Sequence, residues 1–208
     1  MRLTLLNKRG ISIVEVLLAS AIISLLLGSI FYLLSVAQSS RAQSTAKSEA
    51  QSEVRRAMDW IVNDVRQTVS WSIGAGGVGG NDPSSTHIKF QKVIGYNTAG
   101  SGSALLGNFI DYTYDPNANT ITRTDLGTNP PGSWTFRNIV LNESPFNSGV
   151  FYTRLSNGDI VIIDPVITGD NSPVYQTGNL VIVITGQKQV SATVNVSYTL
   201  KEEVKIRN

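Results

Sequence analysis

The chain has 208 residues, of which 41% are hydrophobic and 15% charged, and its formal net charge is +2, too weak and scattered a surplus for an electrostatic nucleic-acid binder. There is no cysteine and one histidine, His87, so disulfide frameworks, thiol nucleophiles, zinc–thiolate sites and His-rich metal centres are excluded. The charged fraction lies below the roughly 25% of an ordinary soluble domain, and the excess apolarity is concentrated in the first forty residues.

Residues 1–10 (MRLTLLNKRG) hold Arg2, Lys8 and Arg9 and no acid. From Val16 to Ala37 run 22 residues without a charge. As a helix this stretch would be ~33 Å long, enough to cross a ~30 Å hydrocarbon core. A secretory signal peptide would need an apolar core of about 7–15 residues and a small-x-small cleavage site. The run is longer than that, and the nearest site, Ala37-Gln38-Ser39, is a poor one. A signal anchor fits the length, with Lys8-Arg9 on the cytoplasmic side and the C-terminal body outside. A plain anchor does not explain Glu15, because a carboxylate in an apolar helix costs on the order of 2.5–3.5 kcal/mol on insertion scales.

The string Lys8-Arg9-Gly10 followed by Ile11-Ser12-Ile13-Val14-Glu15-Val16-Leu17-Leu18 resembles the class III signal of type IV prepilins. That signal is a short basic leader ending in Gly, then an apolar residue, with Glu fifth after the cut; Ile11 stands where the family usually has an aromatic residue. The resemblance implies cleavage between Gly10 and Ile11 by prepilin peptidase and N-methylation of the new Ile11 amine. It implies as partners that peptidase, other pilin or pseudopilin subunits and an inner-membrane assembly platform. In such a filament Glu15 pairs with the Ile11 ammonium of a neighbouring subunit, which offsets burying either charge alone. Gly10, lacking Cβ, lets a protease approach the backbone. Tyr32 occupies the place of a proline found in many major pilins, which favours a minor pilin or pseudopilin.

Past Ala37 the helical rhythm continues. Apolar residues recur at Ala42, Ala46, Ala50, Val54, Met58, Ile61, Val65 and Val69, the stripe of an amphipathic helix. Arg41, Lys47, Glu49, Glu53, Arg55, Arg56, Asp59, Asp64 and Arg66 read as its solvated face. One helix is expected from about Ser12 to Val69, ~85 Å long. Trp71 to Ser85 reads as a flexible connection. Its Gly74, Gly76 and Gly79 match G-x-G-x-x-G, but they follow a helix, where a dinucleotide site would need a strand.

From Thr86 onward the signals are strands and turns: His87–Ile94, Phe109–Tyr114 and Asn119–Thr124 about the hairpin Asp115–Ala118, then Trp134–Leu141. Val150–Leu155 and Asp159–Ile163 flank the turn dipeptide Asn157-Gly158, followed by Leu180–Thr185. Residues Val190–Leu200 alternate apolar and polar, predicting a strand with one buried face. The expected body is one antiparallel sheet packed on the helix stripe. The fold class is therefore α+β: a long N-terminal helix, transmembrane in its first half and amphipathic in its second, under an antiparallel β head. This matches the lollipop shape that the pilin resemblance implies. The divisions are a leader at 1–10, a membrane or filament-core helix at 11–37, an amphipathic spine at 38–70 and a head at 71–208. Three segments, Arg55–Arg66, Asp111–Arg123 and Val204–Asn208, resemble J-type pseudopilins and PilW-type minor pilins.

The rest of the chain supplies no reactive constellation. Asp115-x-Asn117-x-Asn119 imitates the start of a calcium loop, but an EF-hand then needs Gly and Glu where this chain has Thr120 and Leu126; a hairpin turn is the better reading. Asp159, Asp164 and Asp170 would hold an ion only if loops brought them together. There is no G-x-S-x-G, and His87 reads as structural or exposed. Asn142 and Asn195 fall in N-x-S triplets expected by chance. Trp134, Phe136, Phe146, Phe151 and Tyr152 read as core. No catalytic residue, cofactor or metal ligand is expected, and the chain reads as a non-enzyme. The function expected is that of a minor pilin or pseudopilin of a type IV pilus or type II secretion filament, at or near its tip. A filament-tip binding module, an adhesin or DNA-uptake subunit, is the second reading.

Overall fold

A computed structural model describes residues 12–68, 86–97, 103–141, 146, 149–155, 157–163 and 179–206. Among the described residues one helix, α1 (Ile13–Arg66), precedes nine strands: β1 (His87–Tyr96), β2 (Ala104–Asp115), β3 (Thr120–Asp125), β4 (Gly132–Phe136), β5 (Ile139–Val140), β6 (Phe151–Arg154), β7 (Ile160–Ile162), β8 (Asn179–Ser191) and β9 (Val194–Lys205). The chain is α+β, with a long N-terminal apolar helix and antiparallel sheets. It divides into two units, Met1–Thr45 and Ala46–Asn208.

Ser12 starts α1 as a cap. Its Oγ accepts the Val14 N–H at 3.3 Å and its carbonyl accepts the Glu15 N–H at 3.0 Å, which satisfies donors that a helix start leaves without partners. At the other end the Gln67 and Thr68 N–H groups donate to Asp64 and Val65 at 3.1 Å each, tightening the last turn. The second unit then captures the helix end: the Val93 N–H donates to the Gln67 carbonyl at 2.6 Å, and the Thr68 hydroxyl to the Gln91 carbonyl at 2.7 Å.

Strands β1–β4 form a consecutive antiparallel meander. The second sheet has β8 at its centre. One edge of β8 is shared by β5, at Thr185–Gly186, and β6, at Leu180–Ile182; β9 runs along the other. The expected single sheet is thus two. The expected strand Trp134–Leu141 is the hinge between them. Asn138 takes φ 60°, a left-handed conformation that asparagine tolerates, so β4 stays in the first sheet and β5 enters the second. The expected strand Val190–Leu200 is likewise two strands. Pairing continues to Ser191↔Val194, so a tight turn at Ala192-Thr193 folds the alternating run back on itself. At the Asn157-Gly158 turn, Gly158 has φ +95°, a backbone state that costs glycine little.

Val54, Met58, Ile61 and Val65, with Ala57 and Val62, pack into one core with Ile88, Phe90, Ile110, Tyr112, Ile121, Phe151, Ile182 and Ile184. The helix stripe thereby buries against both sheets. Ala46 and Ala50 are also buried, whereas Ala42 is exposed; Val69 lies outside the described residues. The alanines have a reason. Gly186 of β8 comes so close to α1 that an added Cβ would lie 2.5 Å from Val54 Cγ2 and 3.0 Å from the Ala50 carbonyl oxygen. On β8, Leu180, Ile182 and Ile184 enter this core while Val181 and Val183 pack with Tyr152 on the other face. Burial on both faces is why that strand is an unbroken apolar run.

Candidate functional site

In the first unit, every described residue before Ala46 is exposed, and α1 contains an apolar stretch long enough to cross a membrane. Its polar groups are largely absorbed by the helix. The hydroxyls of Ser20, Ser24, Ser29 and Ser39 donate to the carbonyls of Leu17, Ser20, Leu26 and Val36 at 2.7–2.9 Å, back-bonding that suits an apolar medium. Glu15 is the only charged residue from Ser12 to Ser40. It lies in the first turn of α1, where the helix dipole favours an anion, and among the described residues it has no ion-pair partner. Gly10 and Ile11, the expected cleavage and methylation positions, lie outside the described residues.

The second unit holds a charged cluster that sequence reasoning missed. Asp64, assigned above to the solvated face, is 5% exposed. It accepts the Tyr112 O–H at 2.7 Å and the Arg123 Nε–H at 2.6 Å on Oδ2, and its Oδ1 lies 2.5 Å from Lys92 Nζ. The correction follows from helix geometry, because Asp64 sits three residues after Ile61 and next to Val65, at the rim of the stripe. Arg123 has a matching signal. It lies two residues after buried Ile121 on β3, so it shares the inward face. Burial raises the Tyr112 pKa, and the neighbouring Asp64 carboxylate raises it further, so the phenol stays a donor. Burial works against the Arg123 charge, but the hydrogen bond and charge of Asp64 outweigh it and raise its pKa. Register makes the cluster: Tyr112 faces Arg123 across β2–β3, and Arg123 faces Trp134 across β3–β4.

That row reaches the surface at Trp134, which is 45% exposed; its expected place in the core is incorrect. Strand β4 is the edge of its sheet, so one side of the indole has no neighbouring strand. Phe136, Phe151 and Tyr152 are buried as expected, with Phe146 packed edge-on against Tyr152 at 5.2 Å. Trp60 of α1 meets Trp134 at 5.5 Å between ring centroids.

His87 is mostly buried, with Nε2 at 2.9 Å from Asp111 Oδ1. Burial pushes the Asp111 pKa up, but the His87 hydrogen bond and charge, with Thr113 and Lys89, outweigh it and hold the carboxyl below its ordinary value. Asp115 closes the β2–β3 hairpin as an Asx turn: its Oδ1 accepts the N–H of Asn117 at 2.8 Å and of Ala118 at 3.2 Å, which bears out the turn reading. The Asp159 N–H donates to Asn157 Oδ1 at 3.0 Å. Asp164, Asp170, Asn142, Gly74, Gly76 and Gly79 lie outside the described residues. Among the described residues no group of three or more His, Cys, Asp or Glu is placed to hold a metal ion. No protein-family model matches the chain, and neither a curated protein nor a solved structure does.

Proposed function

We propose that this chain is a minor pilin or pseudopilin, a structural subunit that prepilin peptidase cuts between Gly10 and Ile11 and methylates at Ile11. One observation carries the reading. A single carboxylate, Glu15, stands on the first part of α1, which is otherwise uncharged up to Ser40 and exposed throughout that stretch, shortly after a basic segment that ends in Gly10. The subunit starts as a single-pass protein of a bacterial inner membrane, with its N-terminus cytoplasmic and its β head on the far side. It then enters a type IV pilus or type II secretion pseudopilus, at or near the tip, where it helps assembly begin.

Moving α1 from lipid into a bundle of like helices exchanges one apolar surrounding for another, so the hydrophobic gain is small. A charge pair between Glu15 and the Ile11 ammonium of the next copy then weighs heavily in choosing register. Mass spectrometry of the protein from cells containing the peptidase should find a mature chain beginning at N-methylated Ile11. In parallel, Glu15→Ala should be processed yet fail to enter filaments at normal protein level. A chain that keeps Met1, or one cut beyond Ala37, refutes the processing; normal incorporation of the Glu15→Ala chain refutes the role of the carboxylate.

A further inference from the structure

The second unit carries an exposed aromatic surface where α1 meets β4. Trp60 is 36% and Trp134 45% exposed. The Arg123 guanidinium lies 5.2 Å from the first ring and 5.0 Å from the second. Because Arg123 is itself buried, it backs the two indoles from within, and their exposure belongs to the outward side. Arg123 is held in turn by Asp64 at 2.6 Å, so the rings rest on a braced support and lose little freedom when a ligand arrives.

Between Arg56, Trp60, Trp134, Thr135 and Phe136 lies a cavity of about 160 Å³, close to the ~150 Å³ that admits a single six-membered ring. A longer groove of about 570 Å³ shares Arg56 and Trp60 and continues along α1, lined otherwise by polar side chains such as Gln51, Asp59 and Asn63.

Charge and polarity narrow the occupant. Arg56 is spent on Glu53 in a two-pronged pair at 2.9 and 3.0 Å, Arg123 on Asp64, and the groove adds one charge of each sign, Arg55 and Asp59. That balance lacks the positive track a nucleic-acid strand requires. Apolar peptide side chains would strip water from the groove amides and carboxylate without replacing their hydrogen bonds. A neutral sugar answers both features. The C–H face of a pyranose lies against the negative face of an indole, and its rim hydroxyls both donate and accept, matching an amide-and-carboxylate groove.

We propose that the Trp60–Trp134 surface is a binding site for a neutral glycan, with one pyranose ring stacked at the exposed indoles and flanking sugars along α1. The inference does not rest on the pilin reading, because an uncleaved chain presents the same surface.

The test uses the full chain in phosphatidylcholine nanodiscs, which avoids glycoside detergents that would compete. Neutral trisaccharides of glucose, galactose, mannose and N-acetylglucosamine are titrated by tryptophan fluorescence and calorimetry. At least one should saturate and shift the emission. Trp134→Ala should weaken it by about tenfold or more, a loss of ~1.4 kcal/mol. Asp59→Ala, at an exposed groove position, serves should Trp134→Ala lower the melting temperature, and should weaken binding about fivefold. Ile94→Ala, at an exposed position outside the site, should bind as the parent does. Failure of every trisaccharide to saturate below about 10 mM, unchanged affinity in both Trp134→Ala and Asp59→Ala, or saturation by a proline-rich peptide but by no sugar would each overturn the proposal.

Discussion

Replacing Asp64 with alanine is the most demanding test of how the head is held together. Asp64 is the common acceptor for three donors, and two of them cannot turn to water: Tyr112 is 0% and Arg123 5% exposed. Lys92, with its side chain 26% exposed, can rehydrate and contributes least. Removing the carboxylate leaves a buried guanidinium without its counter-charge, which costs about 3–5 kcal/mol. The orphaned Tyr112 hydroxyl lies within the same loss, since effects at one network do not add. For a unit of this size each kcal/mol moves the melting temperature by about 2–4 °C, so Asp64→Ala should lower it by about 6–20 °C. Asp64→Asn keeps an acceptor but loses the charge and should fall between. The double variant Asp64→Leu/Arg123→Met should recover part of the loss, because it removes the unpaired charge together with its partner, while the Tyr112 hydroxyl still lacks its acceptor. Near-UV circular dichroism of the full chain in nanodiscs, followed on heating, reads all three. A melting temperature for Asp64→Ala within about 2 °C of the parent, or a double variant no better than the single, would show that the cluster does not brace the head.

Two further outcomes follow from the same structure. Gly186→Ala places a methyl against Val54 and the Ala50 backbone and should destabilise by about 1–3 kcal/mol through overpacking, read by urea unfolding of the same preparation; pairing it with Val54→Ala should recover part of the loss, and no loss in the single variant would mean that β8 and α1 are not in close contact. Asp111 has a folded pKa below its ordinary value, so its contribution is present above that ordinary value and is lost as pH falls through the folded one. Stability should therefore drop below about pH 4, and Asp111→Asn should show a shallower drop; identical acid profiles would exclude the His87–Asp111 contact as a source of pH dependence.

Much of the architecture was readable because its cause is local. The helix and its stripe follow from spacing at Val54, Met58, Ile61 and Val65, and the Asp115 hairpin from one side chain folding back on two amides. Reading failed where a residue's meaning depends on a distant partner. The place of Asp64 at the rim of the stripe is local, but the partners that let its charge be buried are not, because Arg123 and Tyr112 arrive from another part of the chain. Trp134 reads as core by composition, yet it is on an edge strand and Arg123 occupies its inner side. The alternating run around Ala192-Thr193 hides its turn because period-two alternation resumes on the far side of the bend.

The amino-acid sequence alone determined the apolar helix, the lone Glu15 near its start, the basic residues before it and the alternation of helix and strand patterns, since these are fixed by neighbours within a few residues. Tertiary structure decided that the head has two sheets, that Asp64 is an anchor instead of a surface charge and that two tryptophans face outward over a buried arginine. Each of these depends on strand register, which brings residues tens of positions apart into contact and assigns a side chain to core or surface only once its partner strand is in place.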